Sequence, residues 1–381
     1  MIYLENLASK EIINYKKLKI LFIIPAPKEL YMYNQIGLSL IKDGHIVKYL
    51  IRDFGPNKII AKHFKIDYYL FGKNYFRGLF GKIFELLFNF LTTFKLIVNY
   101  RPDIIVGDTL FGFPSKLLRI PSIAIVEGDP IGLSYLIFKH LYQSDCFIIP
   151  SCTNLVLKNK NIIKYNGIQE LIYINDNFKA DLKIYDYLMI SENTPYVVIR
   201  LSNLGMSHDV GLKTLTIEGV EKIVSVLKKQ IKVFISSEKI LPNSLKENIV
   251  NIPPYLYHSL LHYATLFIGD TASNVEAALL GTPSIQISPI NFNGNLEFKK
   301  YGYFSLCENN KLIRIISPLD VNNIIMVSQE IINNSDSKLI HENELKNFLK
   351  TRKNINNLII KFIEDYPNSI NYLLKIHKNS K

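Results

Sequence analysis

The sequence predicts an α/β protein of two Rossmann-like domains with parallel sheets that face each other across a cleft. Three observations carry this. The chain has 381 residues, too many for one ordinary core. Short apolar runs alternate with helical stretches in two successive series of similar size. Between the series lies a charged, Asn-rich stretch, 170–195, broken by Pro195, which reads as the inter-domain linker. The expected domains are 1–180 and 181–381, with the C-terminal helices packing back on the first.

The first series opens with a strand at Leu18–Ile24, stopped by Pro25 and Pro27. A helix follows to about Asp43, and Gly44 closes it as a C-cap. Strands are expected at His45–Arg52 and Asp67–Phe71, then a Phe- and Leu-rich helix over 75–100. Three further apolar runs, Asp103–Val106, Ser122–Val126 and Cys146–Ile149, each end in turn residues. Short apolar runs of this kind, alternating with helical stretches, imply strands buried on both faces, the mark of a parallel sheet.

The second series begins with a strand at Tyr196–Leu201. A helix at Glu218–Gln230, a strand at Ile231–Ser236, a helix at Tyr257–Ala264 and a strand at Leu266–Ile268 follow. Next come a helix at Asn274–Leu280, stopped by Gly281, and a strand at Ser284–Ile287. From about Val321 to Lys375 the pattern is mostly helical.

Composition narrows the class. With 48% hydrophobic and 20% charged residues the chain is globular rather than disordered. Its three cysteines, Cys146, Cys152 and Cys307, lack metal-like or disulfide-like spacing and read as reduced thiols. The N-terminus is charged throughout, with no apolar core of a signal peptide. The nearest candidate for a membrane span, Leu86–Phe94 between Glu85 and Lys95, is far shorter than the ~20 residues a span needs. A cytoplasmic protein is expected. The net charge of +12 suits an anionic partner, although Lys, Ile and Asn dominate the whole chain. No nucleic-acid-binding signature is present, and no cofactor or metal is expected.

The sharpest local feature is Leu266-Phe-Ile-Gly-Asp-Thr-Ala-Ser-Asn-Val-Glu-Ala-Ala-Leu-Leu-Gly-Thr-Pro283. A strand ends at Ile268 and a small polar loop opens a helix. Ser273 and Asn274 are N-cap candidates, and free amides at that helix start suit a phosphate. Glu276 sits in the first helical turn, where its carboxylate can accept hydrogen bonds from ribose hydroxyls. The plain alternative is a capped strand–turn–helix with no ligand. The expected nucleotide contacts are Asp270, Thr271, Ser273, Asn274 and Glu276, joined by Arg200 and Ser202 from the end of the neighbouring strand. Arg200 reads equally as a diphosphate ligand or as half of a structural ion pair.

Carboxylates also end two strands of the first series. Asp108, in Gly107-Asp-Thr109, and Glu127 would project from the same sheet edge, a suitable pair for general acid–base work. Asp108 serves equally well as a helix cap. His208-Asp209 follows the strand Tyr196–Leu201 on a polar loop and suits a base or a phosphate-binding imidazolium.

Glu276-Ala-Ala-Leu-Leu-Gly-Thr-Pro283 resembles the nucleotide-sugar motif of GT-B glycosyltransferases and of non-hydrolysing UDP-N-acetylglucosamine 2-epimerases. In those families the matching Glu binds the UDP ribose. More closely, the chain resembles the domain of unknown function 354 family from about residue 18 to about 367. That likeness is carried by Tyr165-Asn-Gly-Ile-Gln-Glu170, Ser207-His-Asp-Val-Gly211, Phe234-Ile-Ser-Ser-Glu238 with Leu241-Pro242, and His258-Ser-Leu-Leu-His-Tyr-Ala264 with Ile268-Gly-Asp270. The resemblance implies a GT-B fold and a UDP-sugar as substrate. Gly107-Asp-Thr109 and Val126-Glu127 look like epimerase segments in which Asp and Glu are catalytic. The implied catalytic set is Asp108, Glu127, His208 and Asp209.

The departures are specific. The loop Pro25-Ala-Pro-Lys-Glu-Leu-Tyr31 lacks the family's His, and the loop between Asp270 and Glu276 is one residue short. The epimerases' third carboxylate and their Gly-His-Arg-Arg-Glu segment have no counterpart. The resemblance therefore favours sugar transfer to a glycan or lipid-linked acceptor over epimerisation, with a non-catalytic sugar-nucleotide-binding protein as the third reading. The aromatic segment Tyr75–Tyr100 reads as a core helix of the first domain, with a membrane-surface helix as the alternative.

Overall fold

The structure is a computed structural model that describes residues 2–3, 16–72, 78–107, 112–126, 144–153, 161–202, 212–291, 294–352 and 355–369. For 2–3, 78–87 and 112–113 it describes the backbone alone. The chain divides into two compact units, Met1–Tyr173 with Asn354–Lys381, and Ile174–Lys353.

The first unit runs β1 (Ile2–Tyr3), β2 (Lys19–Ile24), α1 (Pro27–Lys42), β3 (Ile46–Arg52), α2 (Asn57–His63), β4 (Tyr68–Phe71) and α3 (Gly78–Tyr100). It continues with β5 (Ile104–Gly107), α4 (Gly112–Leu117), β6 (Ser122–Ile125), β7 (Cys146–Pro150) and β8 (Asn161–Tyr165). The eight strands form one parallel sheet in the order β1-β8-β7-β6-β5-β2-β3-β4. β5, β6 and β7 are buried along their whole length, as the apolar runs required.

The stretch read as a linker is structured at both ends. Gln169–Ile172 is a 3-10 turn whose Glu170 is fully buried and accepts a 2.7 Å bond from Lys28 Nζ at the start of α1. Lys183–Leu188 forms α5 in the second unit. The Asn-rich composition hid these elements because their order comes from partners distant in sequence.

The second unit continues with β9 (Tyr196–Leu201), α6 (Ile217–Leu227), β10 (Lys232–Ser237), α7 (Tyr257–Tyr263), β11 (Leu266–Gly269), α8 (Ser273–Leu279) and β12 (Ser284–Ile287). After these come α9 (Gly302–Asn309), β13 (Ile313–Ile316), α10 (Val321–Asn333) and α11 (Ser337–Lys350). Its five strands are parallel in the order β10-β9-β11-β12-β13. One core cluster runs from Val197 and Ile199 on β9 through Ile268 on β11 to Ile324 on α10. α12 (Ile355–Glu364) returns the chain to the first unit, where it packs against α1 and the 169–172 turn.

Candidate active site

The site is assembled where β9, β10 and β11 end. Parallel register places Arg200 beside both Ser236 and Gly269, so the residues after each strand meet at the carboxyl edge of the second sheet. In open α/β sheets this edge is the ligand edge.

Arg200 leaves β9 half-buried. Its guanidinium donates to Ser236 Oγ at 2.9 Å and pairs with Glu238, both at the end of β10. The structural ion pair anticipated for this Arg is therefore present. Asp270 follows β11 and is 4% exposed. Its Oδ1 accepts the Ser202 backbone N–H at 2.9 Å, while its Oδ2 is buried without a hydrogen-bond partner among the described residues. Burial raises the Asp270 carboxyl above its ordinary range, against the opposing pull of the Ser202 N–H, Lys239 and Arg200.

α8 carries the rest, and its start differs from the expectation. Neither Ser273 nor Asn274 caps it. Ala272 occupies the cap position, and the helix is only seven residues long. The early amides are taken internally: Ser273 N–H goes to Thr271 Oγ1 at 3.3 Å, Asn274 N–H to the Thr271 carbonyl and Val275 N–H to the Ala272 carbonyl. Few free amides remain for a phosphate. Asn274 points into the protein, fully buried, and donates through Nδ2 to the Ser284 hydroxyl at 2.9 Å and the Ile285 carbonyl at 2.7 Å. It ties α8 to β12. A polar residue ahead of an apolar run looks like a cap in sequence, whereas this one is an internal anchor.

The other end of α8 is held just as firmly. Gly281, at φ +88°, ends it, and His262 and His341 contact the Leu280 and Ala278 carbonyls at 2.9 and 2.8 Å. Thr282 Oγ1 donates to the Leu261 carbonyl at 2.7 Å, joining the helix end to α7.

This clamping fixes Glu276. Its Oε1 lies 3.3 Å from His258 Nε2, and the two residues are 8% and 5% exposed. Next to His258, at the start of α7, the Tyr257 hydroxyl is buried without a hydrogen bond of ordinary geometry. Its polar and charged neighbours are Arg200, Ser273, Glu276 and Asp270. Burial pushes this phenol up to about 12, so it is a neutral donor at physiological pH. Asp270 Oδ2 thus stands unsatisfied at the strand edge, with the Tyr257 hydroxyl near it held only by the Ser273 side chain, and an unsatisfied buried oxygen is costly unless a ligand or water completes it.

Of the sequence-predicted residues, the structure gathers Arg200, Ser202, Asp270, Thr271, Ser273 and Glu276 here and turns Asn274 inward. Asp108, Glu127, His208 and Asp209 lie outside the described residues. Sequence reasoning missed Tyr257, and singled out His258 and Glu238 only within longer motifs. The Pro253-Pro254 pair was the available signal, since it sets the start of α7 and brings Tyr257 to the sheet edge.

A groove of about 430 Å³ opens elsewhere, beside the amino ends of β12 and β13. Its Arg314 and Lys311 are engaged by Glu330 and Glu344. Lying at the wrong strand ends with its charges matched, it lacks the features of a ligand site.

Comparison with known structures shows the fold. A UDP-N-acetylglucosamine 2-epimerase superposes with TM-score 0.61 at 14% identity, covering 96% of this chain and 97% of that one. The spinosyn forosaminyltransferase SpnP gives TM-score 0.58 at 12% identity, over 89% and 96%. The UDP-GlcNAc 2-epimerase of Neisseria meningitidis, bound to UDP-GlcNAc, gives 0.57 at 13%, over 94% and 98%. The two parallel sheets are those of the GT-B fold. No curated protein matches the chain by sequence. A family model does match, over residues 18–367, and the chain belongs to the family described as protein of unknown function DUF354.

Proposed function

We propose that this protein binds a UDP-sugar at the carboxyl edge of β9 and β11 and transfers the sugar to a glycan or lipid-linked acceptor. The observation that carries the reading is Glu276, a nearly buried carboxylate fixed by His258 on a helix clamped at both ends. A carboxylate held rigid in this way is suited to the two hydroxyls of a ribose, because little side-chain freedom is lost on binding. Asp270 Oδ2 supplies a further unsatisfied polar atom at the same edge, and the Tyr257 hydroxyl a further buried donor. The neighbouring Arg200 is partly neutralised by Glu238 and contributes orientation more than net charge.

Transfer is favoured over epimerisation by the sequence after β9. It reads Ser202-Asn-Leu-Gly-Met-Ser-His-Asp209, with no Gly-His-Arg-Arg-Glu segment. In this reading Asp108, Glu127, His208 and Asp209 supply the acid–base groups. Thermal-shift and calorimetric screening of UDP and UDP-sugars tests the binding step. No shift and no heat at saturating ligand would remove it. Incubation with UDP-N-acetylglucosamine in deuterated water separates the reactions: deuterium at C2 would establish epimerisation instead.

A further inference from the structure

The aromatic helix α3 is only half absorbed by the core. Ile97 and Thr93 are fully buried, and Ile97 joins the cluster of Leu21, Leu50 and Ile105. The opposite face is open, with Phe88 53%, Leu91 56% and Val98 40% exposed. At 3.6 residues per turn these three and Lys95 fall within an arc of roughly 80°, one continuous stripe. Leu117, on the neighbouring α4, is 61% exposed. Apolar side chains left in water at this density mark an interaction surface.

The charge around the stripe identifies the partner. Lys95, Arg101, Lys116 and Arg119 are all exposed on α3, on α4 and just beyond their ends. The sequence has no acidic residue from 86 to 102 or from 109 to 126. Of the acids that flank this stretch, Glu85 lies one helical turn before Phe88, and Asp103 accepts the Lys19 backbone N–H at 2.8 Å and faces Lys16. A second copy docked face to face would set this cationic patch against the same cationic patch, because a two-fold interface uses one surface on both subunits. A sheet of anionic headgroups over acyl chains matches both components at once.

We propose that the outer face of α3, with Leu117, Lys116 and Arg119 of the α4 region, docks on an anionic lipid bilayer. The helix lies in the interface plane, its apolar stripe entering the headgroup–acyl boundary while Lys95 reaches to phosphates. No helix among the described residues is long and apolar enough to cross a membrane.

The test is co-sedimentation of the full chain with vesicles of phosphatidylserine in phosphatidylcholine, against phosphatidylcholine alone. The expected result is binding to the anionic vesicles, weakening with salt. Two independent variants, Leu91→Glu with Val98→Glu and Lys116→Glu with Arg119→Glu, are each expected to lower the partition coefficient at least about tenfold. All the altered residues are exposed, so melting temperature serves as the control for folding. Absence of binding to anionic vesicles overturns the proposal. So does equal binding by the folded variants, or a dimer that both variants dissociate while lipid binding stays unchanged.

Discussion

The carboxylate of Glu276 and the imidazole of His258 stand 3.3 Å apart on two helices that enter the same edge of the second sheet. The contact holds the carboxylate in place. His258→Phe keeps the ring volume and removes the contact. It is expected to weaken UDP-sugar binding by about 0.5–1.5 kcal/mol, read as a calorimetric Kd. A loss exceeding that of Glu276→Ala would reverse the roles of the two residues.

Asp270 joins β11 to the end of β9 through the Ser202 N–H. Asp270→Ala strips that amide of its acceptor and is expected to cost about 1–3 kcal/mol of stability. Asp270→Asn keeps an oxygen in place and should lose much less. Denaturant midpoints of the two variants decide the point, and equal losses would show that charge, rather than the acceptor, is what matters.

Gly269 is a close approach. A Cβ built there would lie 2.8 Å from Asn274 Oδ1 and 2.9 Å from the Phe267 ring. Gly269→Ala must displace the anchor of α8, at a cost of about 1–3 kcal/mol. Because the displaced helix carries Glu276, ligand affinity should fall along with the melting temperature. Unaltered affinity in a destabilised variant would separate the anchor from the site.

In the first unit, Glu364 of α12 lies 3.5 Å from His45, with both side chains almost wholly buried. Burial, then the charge and hydrogen bond of Asp43, raise Glu364 from 4.5 to about 7, against Lys361. A raised folded pKa gives stability that is full below the unfolded value and lost as pH climbs through the folded one. His45 is lowered by burial and acts in the opposite sense, but it is common to the wild type and to a Glu364 variant. The melting temperature of Glu364→Gln should therefore gain on the wild type between about pH 4.5 and 7 and level off above. A difference independent of pH would contradict this.

These residues also show what a sequence can disclose. Runs such as Tyr196–Ile199, with Arg200 only towards the strand's end, and Leu266–Ile268 were legible because burial on both faces demands apolar side chains in succession. β13 escaped because Arg314 interrupts it, and its edge position is what lets that Arg reach solvent. β8 escaped for a similar reason, being only partly buried, with Lys164 in its run. The place of Glu276 in the first turn of α8 could be read from its motif. Asn274 was misread and Tyr257 overlooked, since an inward anchor and a convergence of three strand ends are long-range facts. The local pattern around them records only polarity and spacing.

In the proposed function Glu276 is the ribose-binding carboxylate of a UDP-sugar site. Calorimetric titration of a UDP-sugar panel into the wild type and into Glu276→Ala tests it most directly. Saturable binding by the wild type is expected, with a loss of about 1–3 kcal/mol in the variant, roughly 5- to 150-fold in Kd. The same dissociation constant in both proteins, or no heat with any UDP-sugar, would contradict it.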